Sequence, residues 1–150
     1  MLSLNLPTFA AKVKEKDGKH TIFDPVRRKY VALTPEEWVR QHFVNYLITH
    51  KGYPKELLAN EVPLKLNGTS KRCDSVAYNR FLAPLMIVEY KAPTIEITSA
   101  VFDQIVRYNM VLHVRYLAVS NGISHFCCKI DYENFPYSFL EGIPEYKELE

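Results

Sequence analysis

The chain has 150 residues, 47% of them hydrophobic, which is one domain's length and enough apolar side chain for a core without disulfide support. Its 19 basic and 17 acidic residues leave a formal charge of +2, too small by itself to imply a nucleic-acid partner. No apolar run approaches the ~20 residues of a membrane span, and the N-terminus lacks a basic, apolar, cleavable pattern, so the expected setting is the cytoplasm, with no membrane.

Residues 1–31 are punctuated by Pro7, Gly18 and Pro25 and read as short strands and turns, with a net charge of +4. A helix is expected from Thr34 to about His50: Thr34 can cap, Pro35 suits the first turn, Glu36 and Glu37 favour the positive helix end, and Gly52 and Pro54 stop it. Its apolar stripe is Val39, Phe43, Val44, Leu47 and Ile48. The period then changes to two in Val62–Leu66 and Cys73–Tyr78, joined across the Asn67-Gly68 turn. Pro84 to Val88 is a continuous apolar run ending in Glu89-Tyr90-Lys91, as in a central strand covered on both faces.

Thr98 or Ser99 can cap a second helix reaching about Leu112, with Val101, Ile105, Tyr108 and Leu112 as its inward stripe. His113–Ser120 and Ile123–Ile130 read as two further strands around Asn121-Gly122. The acidic tail, residues 131–150 with a net charge of −5, contains Pro136, Gly142 and Pro144 and is expected to pack back as turns or a brief helix. The whole is a single α/β unit: a mixed central β-sheet flanked by helices, in the order helix, three strands, helix, two strands. No glycine pattern suits a phosphate-binding loop or a dinucleotide site.

Glu89 and Lys91 are two residues apart on a strand and leave the same face, with Tyr90 opposite. Charges ending so apolar a strand either pair with each other or meet a ligand. Asp74, at the start of the preceding hairpin's second strand, can lie across from Glu89. Two converging carboxylates make a hard oxygen site suited to magnesium, with manganese as a substitute. Asp74, Glu89 and the Tyr90 backbone carbonyl are the expected metal ligands, and Lys91 would orient or help deprotonate the attacking water and offset phosphoryl charge. The competing reading is a strand-end Glu89–Lys91 salt bridge with Asp74 as an unrelated turn residue.

Five stretches resemble, in order, the PD-(D/E)xK nuclease superfamily, and specifically the N-terminal nuclease domain of type I restriction enzyme R subunits. They are Leu33-Thr34-Pro35-Glu36-Glu37-Trp38-Val39-Arg40, Arg72-Cys73-Asp74-Ser75-Val76, Ile87-Val88-Glu89-Tyr90-Lys91-Ala92-Pro93, Phe102 to Asn109, and Ser120-Asn121-Gly122, covering roughly residues 30–130. The resemblance implies a restriction-endonuclease-like core and magnesium-dependent hydrolysis of DNA. Its site residues become Asp74, Glu89, Lys91 and the Gln104-x-x-x-Tyr108 pair, which share a helix face. Superfamily members also carry an acid on the first helix; helix phase favours Glu36 as this auxiliary catalytic and metal-binding group, with Glu37 and Glu61 still open.

Cys73 stands where the superfamily writes proline, and the motor and specificity-docking regions of a complete R subunit do not fit in this length. The expected partners are therefore DNA together with either a second copy or restriction-system subunits. Arg27-Arg28-Lys29, Lys71-Arg72 and Arg80 can supply phosphate contacts. The alternative function is a catalytically silent DNA-binding or assembly module on the same fold. The five histidines and three cysteines show no zinc, haem or nucleophile pattern.

Overall fold

The computed structural model describes residues 3–66, 68–133 and 137–150. Asn67 of the expected hairpin turn and Pro136 of the tail lie outside the described residues. The N-terminal segment forms an antiparallel three-stranded sheet, β1 (Val13–Lys16), β2 (Lys19–Asp24) and β3 (Lys29–Ala32).

Helix α1 (Pro35–His50) follows, opened as its sequence requires: the Thr34 hydroxyl accepts from the Glu37 amide and Pro35 occupies the first turn. The main sheet has six strands in sequential order, β4 (Leu58–Leu66), β5 (Thr69–Tyr78), β6 (Pro84–Tyr90), β7 (Tyr116–Ser120), β8 (His125–Ile130) and β9 (Tyr137–Phe139). All its pairings are antiparallel except β6–β7, which is parallel because helix α2 (Ser99–Asn109) forms the crossover.

This is the expected mixed sheet flanked by helices, with α1 packing on one face and α2 on the other. Val39, Phe43, Val44 and Leu47 of α1 meet Ala77, Met86, Val88 and Tyr90, whereas Phe102, Ile105 and Val106 of α2 meet Val76, Ile87, Leu117 and Val119. Strand β6 alternates between the two layers, which is why its sequence is apolar almost throughout. Adjacent Cys127 and Cys128 likewise serve opposite layers as buried free thiols.

Four expectations change. The α2 stripe is Phe102, Ile105, Val106 and Asn109, and Tyr108 is 53% exposed, so the helix is rotated from the expected phase. Beyond Asn109 the helix tightens into a single 3-10 turn, Met110–Leu112, and His113 takes a left-handed conformation, so the next strand starts at Tyr116. The following strand starts at His125, because the Asn121 side chain ties the backbone amides of Ile123 and Ser124 into the turn. The acidic tail supplies β9, a short edge strand on β8, before its 3-10 turn at Tyr146–Glu148. Among the described residues no helix is long and apolar enough to cross a membrane.

Candidate active site

The β4–β5 ladder breaks at one point. Asn60 pairs with Ser75 and Val62 with Cys73, but between them Glu61 has a left-handed backbone, φ +55°. The Ser75 hydroxyl meets the Tyr90 ring hydroxyl in the α1 layer, while Val62 and Cys73 belong to the α2 layer. In an uninterrupted strand, residues two apart share a face. Asp74 therefore sits where β5 turns over, and its carboxylate is turned toward the end of β6, accepting from the Tyr90 amide at 2.9 Å. The β5–β6 register, Ser75 opposite Val88, puts Glu89 next to it on β6.

Asp74 and Glu89 are each held above the usual carboxylate range, in both cases chiefly by burial. The Asp74 charge adds to the rise at Glu89, while for Asp74 the Tyr90 amide, Arg40 and Lys91 act in the opposite direction and Glu61 adds to the rise. Lys91 Nζ lies 3.6 Å from a Glu89 carboxylate oxygen, and the Asn109 side-chain amide adds a smaller lowering at Glu89. Glu89, Lys91, Gln104 and Tyr108 line one cleft of about 300 Å³, with Val101 and Ile105 as its apolar wall. Four of the expected site residues thus converge, with Asp74 beside them. At the cleft the Lys71 ammonium lies 3.7 Å from the Tyr108 ring centroid, a cation–π contact.

Glu36 does not join them. It is exposed on the first turn of α1, and the acid turned inward is Glu37, 4% exposed. Helix α1 buries polar residues as well as apolar ones, so its inward face is wider than the apolar stripe and takes in Glu37 rather than Glu36. Burial alone would raise Glu37, but hydrogen bonds from Arg40, Gln41 and Arg27 overcome it and hold the carboxyl below its usual range. Glu61 is the acid of the three whose charge acts on Asp74, and Arg40 and Arg72 each donate to one of its oxygens, at 2.8 and 2.9 Å.

Sequence reasoning passed over Arg40 and Asn109. Arg40, 7% exposed, joins Glu37 to Glu61, donates to the Asp74 backbone carbonyl at 2.8 Å and lies over the Tyr90 ring. It thereby fixes the backbone that carries the site's aspartate. The signal for it was a charged residue inside the apolar register, directly after Val39 and three residues beyond Glu37. A relay of hydrogen bonds completes the layer beneath, from Tyr90 to Ser75 to Asn60 to Asp24, with Asp24 also paired to Arg27. Among the described residues no buried side-chain nitrogen or oxygen lacks a partner, so this polar layer is closed.

The donor set can be tested against a divalent cation. Two carboxylates that burial pushes toward neutrality, with the Asp74 charge adding to the rise at Glu89, regain their charge when a hard cation lies between them, so the chemistry of the pair fits one. Among the described residues no third His, Cys, Asp or Glu converges with them. Further oxygens would have to come from backbone, water or substrate, which is usual for magnesium.

Residues 35–144 match the family described as the N terminus of the type I restriction enzyme R protein. Among solved structures, the fold is similar to a fragment assigned as an HsdR subunit of a type I restriction enzyme from Vibrio vulnificus, with a TM-score of 0.55 and 20% sequence identity. That match covers 78% of this chain and 24% of the other. A comparison with curated proteins finds no match.

Proposed function

The chain belongs to the family of type I restriction enzyme R protein N-terminal domains, and from that premise we propose that it is a divalent-metal-dependent deoxyribonuclease module of the PD-(D/E)xK type. The observation that carries this reading is the pairing of Asp74, at the turn-over within β5, with Glu89 near the end of β6, both raised by burial, beside a cleft that Glu89 lines with Lys91, Gln104 and Tyr108. Magnesium held by Asp74 and Glu89, with the Tyr90 carbonyl as a further oxygen, would supply charge for the scissile phosphate and acidify water.

The protein's own groups account for the rest. Lys91, beside Glu89, orients the water and neutralises charge developing on the phosphoryl oxygens. Gln104 is exposed on the cleft wall and offers both a donor and an acceptor to substrate. Asn109 steadies Glu89 from behind, and Arg40 holds the Asp74 backbone. DNA and restriction-system subunits are the partners this role requires.

A second reading has its own support. The Glu89–Lys91 contact and the lack of a third convergent acid among the described residues suit a silent module that binds DNA and hydrolyses nothing. One experiment separates the two. Purified protein is incubated with linear, nicked and single-stranded DNA across a magnesium or manganese titration, beside Glu89→Gln. Metal-dependent cleavage that falls about 10²-fold or more in the variant supports the nuclease. DNA binding with no cleavage, and no metal uptake by calorimetry, supports the silent module.

A further inference from the structure

A second concave surface lies between β3, the start of α1 and the β4–β5 hairpin. It is a basin of about 640 Å³ whose lining includes Arg27, Lys29, Arg40 and Arg72 against two acids, Glu37 and Glu61. The balance of donors matters more than the count of charges. Both oxygens of Glu37 and both of Glu61 are already occupied by guanidinium or amide donors. The cations are not used up in return. Arg72 spends only its Nε, on Glu61, leaving both terminal nitrogens without a partner among the described residues. Arg27 spends Nε and one terminal nitrogen, and Lys29 is exposed with no partner there.

A pocket whose carboxylates are already paired while its cations keep unspent donors suits an oxyanion. Arginine forks match the tetrahedral oxygens of a phosphate, and the anchoring of Arg27 to Glu37 and of Arg72 to Glu61 reduces the entropy that free surface arginines would lose. The basin also has a fixed relation to the cleft. Arg40 bridges them through the Asp74 carbonyl, and Arg72 is two residues from Asp74 on β5. We propose that the basin formed by Arg27, Lys29 and Arg72 is a non-catalytic anion site that takes a backbone phosphate of the duplex on the flank of the bond held at Asp74 and Glu89. This rests on the nuclease-module reading, since it assigns the anion to DNA.

The test is binding without chemistry, in metal-free buffer, by fluorescence anisotropy of a short labelled duplex over a salt series. Arg72→Ala and Lys29→Ala are each expected to weaken binding roughly fourfold at near-physiological salt and to lower the slope of log K against log salt by about one. Lys147→Ala, remote in the C-terminal 3-10 turn, is expected to change neither. Because Lys29 has no partner among the described residues, its variant keeps the test valid even if Arg72→Ala, which removes one of Glu61's two guanidinium partners, unfolds. Unchanged affinity and slope in Lys29→Ala, with intact cleavage by the parent protein, overturn the basin and leave the nuclease reading standing; a parent protein that binds no duplex at low salt overturns the basin, and the nuclease reading falls with it only where metal-dependent cleavage is absent as well. Calorimetry with inorganic pyrophosphate is the remaining arm: saturable uptake that Arg72→Ala abolishes, without any loss of duplex affinity, reassigns the basin to a free anion and overturns the backbone assignment.

Discussion

At the scale of single residues, the acids divide into two groups with opposite meaning. Asp74 and Glu89 are half-buried with too little compensation and sit above the usual range, whereas Glu37 is buried with more than enough and sits below it. Function stored as unfavourable burial predicts that Asp74→Asn and Glu89→Gln abolish cleavage while leaving thermal stability at neutral pH equal to or above that of the parent; a clear fall in melting temperature for both would contradict it. Glu37→Gln, in contrast, leaves Arg27 and Arg40 with a missing counter-charge and is expected to cost about 3–5 kcal/mol by urea denaturation. Glu36→Gln on the exposed turn is expected to stay within about 0.5 kcal/mol. The sequence showed that acids stood at 36, 37, 61, 74 and 89, and the strand motif singled out the last two. It could not show which of 36 and 37 turns inward, because that depends on Arg27, a residue of the preceding segment that reaches α1 only in the folded chain.

Elements were legible wherever one face alone was apolar or one cap was decisive. The Thr34 and Thr98 caps, the hairpin and the β6 run follow from local chemistry. Helix α2 misled at its phase, since Tyr108 fits an i, i+3 apolar register with Ile105 as well as any core residue. Its place at the cleft, over Lys71, is set by the neighbouring β5 strand. The correction is itself testable. Ile105→Ala should cost about 2–5 kcal/mol by denaturation, as for a buried isoleucine. Tyr108→Ala should cost less than about 1 kcal/mol by denaturation yet reduce DNA cleavage. Equal destabilisation by the two substitutions would return Tyr108 to the core. The break at Glu61 was not legible at all: a non-glycine residue at positive φ carries no local signal, and here the ion pairs to Arg40 and Arg72 hold it.

For the whole molecule, these opposed acids set a pH profile of stability. Asp24, Glu37 and Glu61 lie below their ordinary values, where burial is overcome by hydrogen bonds from Asn60 and Arg27, from Arg40, Gln41 and Arg27, and from Arg72 and Arg40 respectively. Their contribution is therefore present above the unfolded-state range and is lost as pH falls through their lowered values. Asp74 and Glu89 are raised, so their contribution is present below the unfolded-state range and is lost as pH rises through their raised values. Lowering the pH from neutral in metal-free buffer should thus first protonate the site pair and stabilise the protein, and only below the ordinary carboxylate range, about 4, dismantle the arginine network that joins the N-terminal sheet to α1 and the β4–β5 hairpin. Melting temperature against pH should accordingly pass through a maximum on the acid side of neutrality. Magnesium, by keeping the pair ionised at neutral pH, should move that maximum upward. An Asp74→Asn, Glu89→Gln double variant should lose the initial rise and the response to magnesium while keeping the acid collapse, because the collapse belongs to other carboxylates. If the double variant instead retains the magnesium response, the cation binds elsewhere and the site pair is not its ligand.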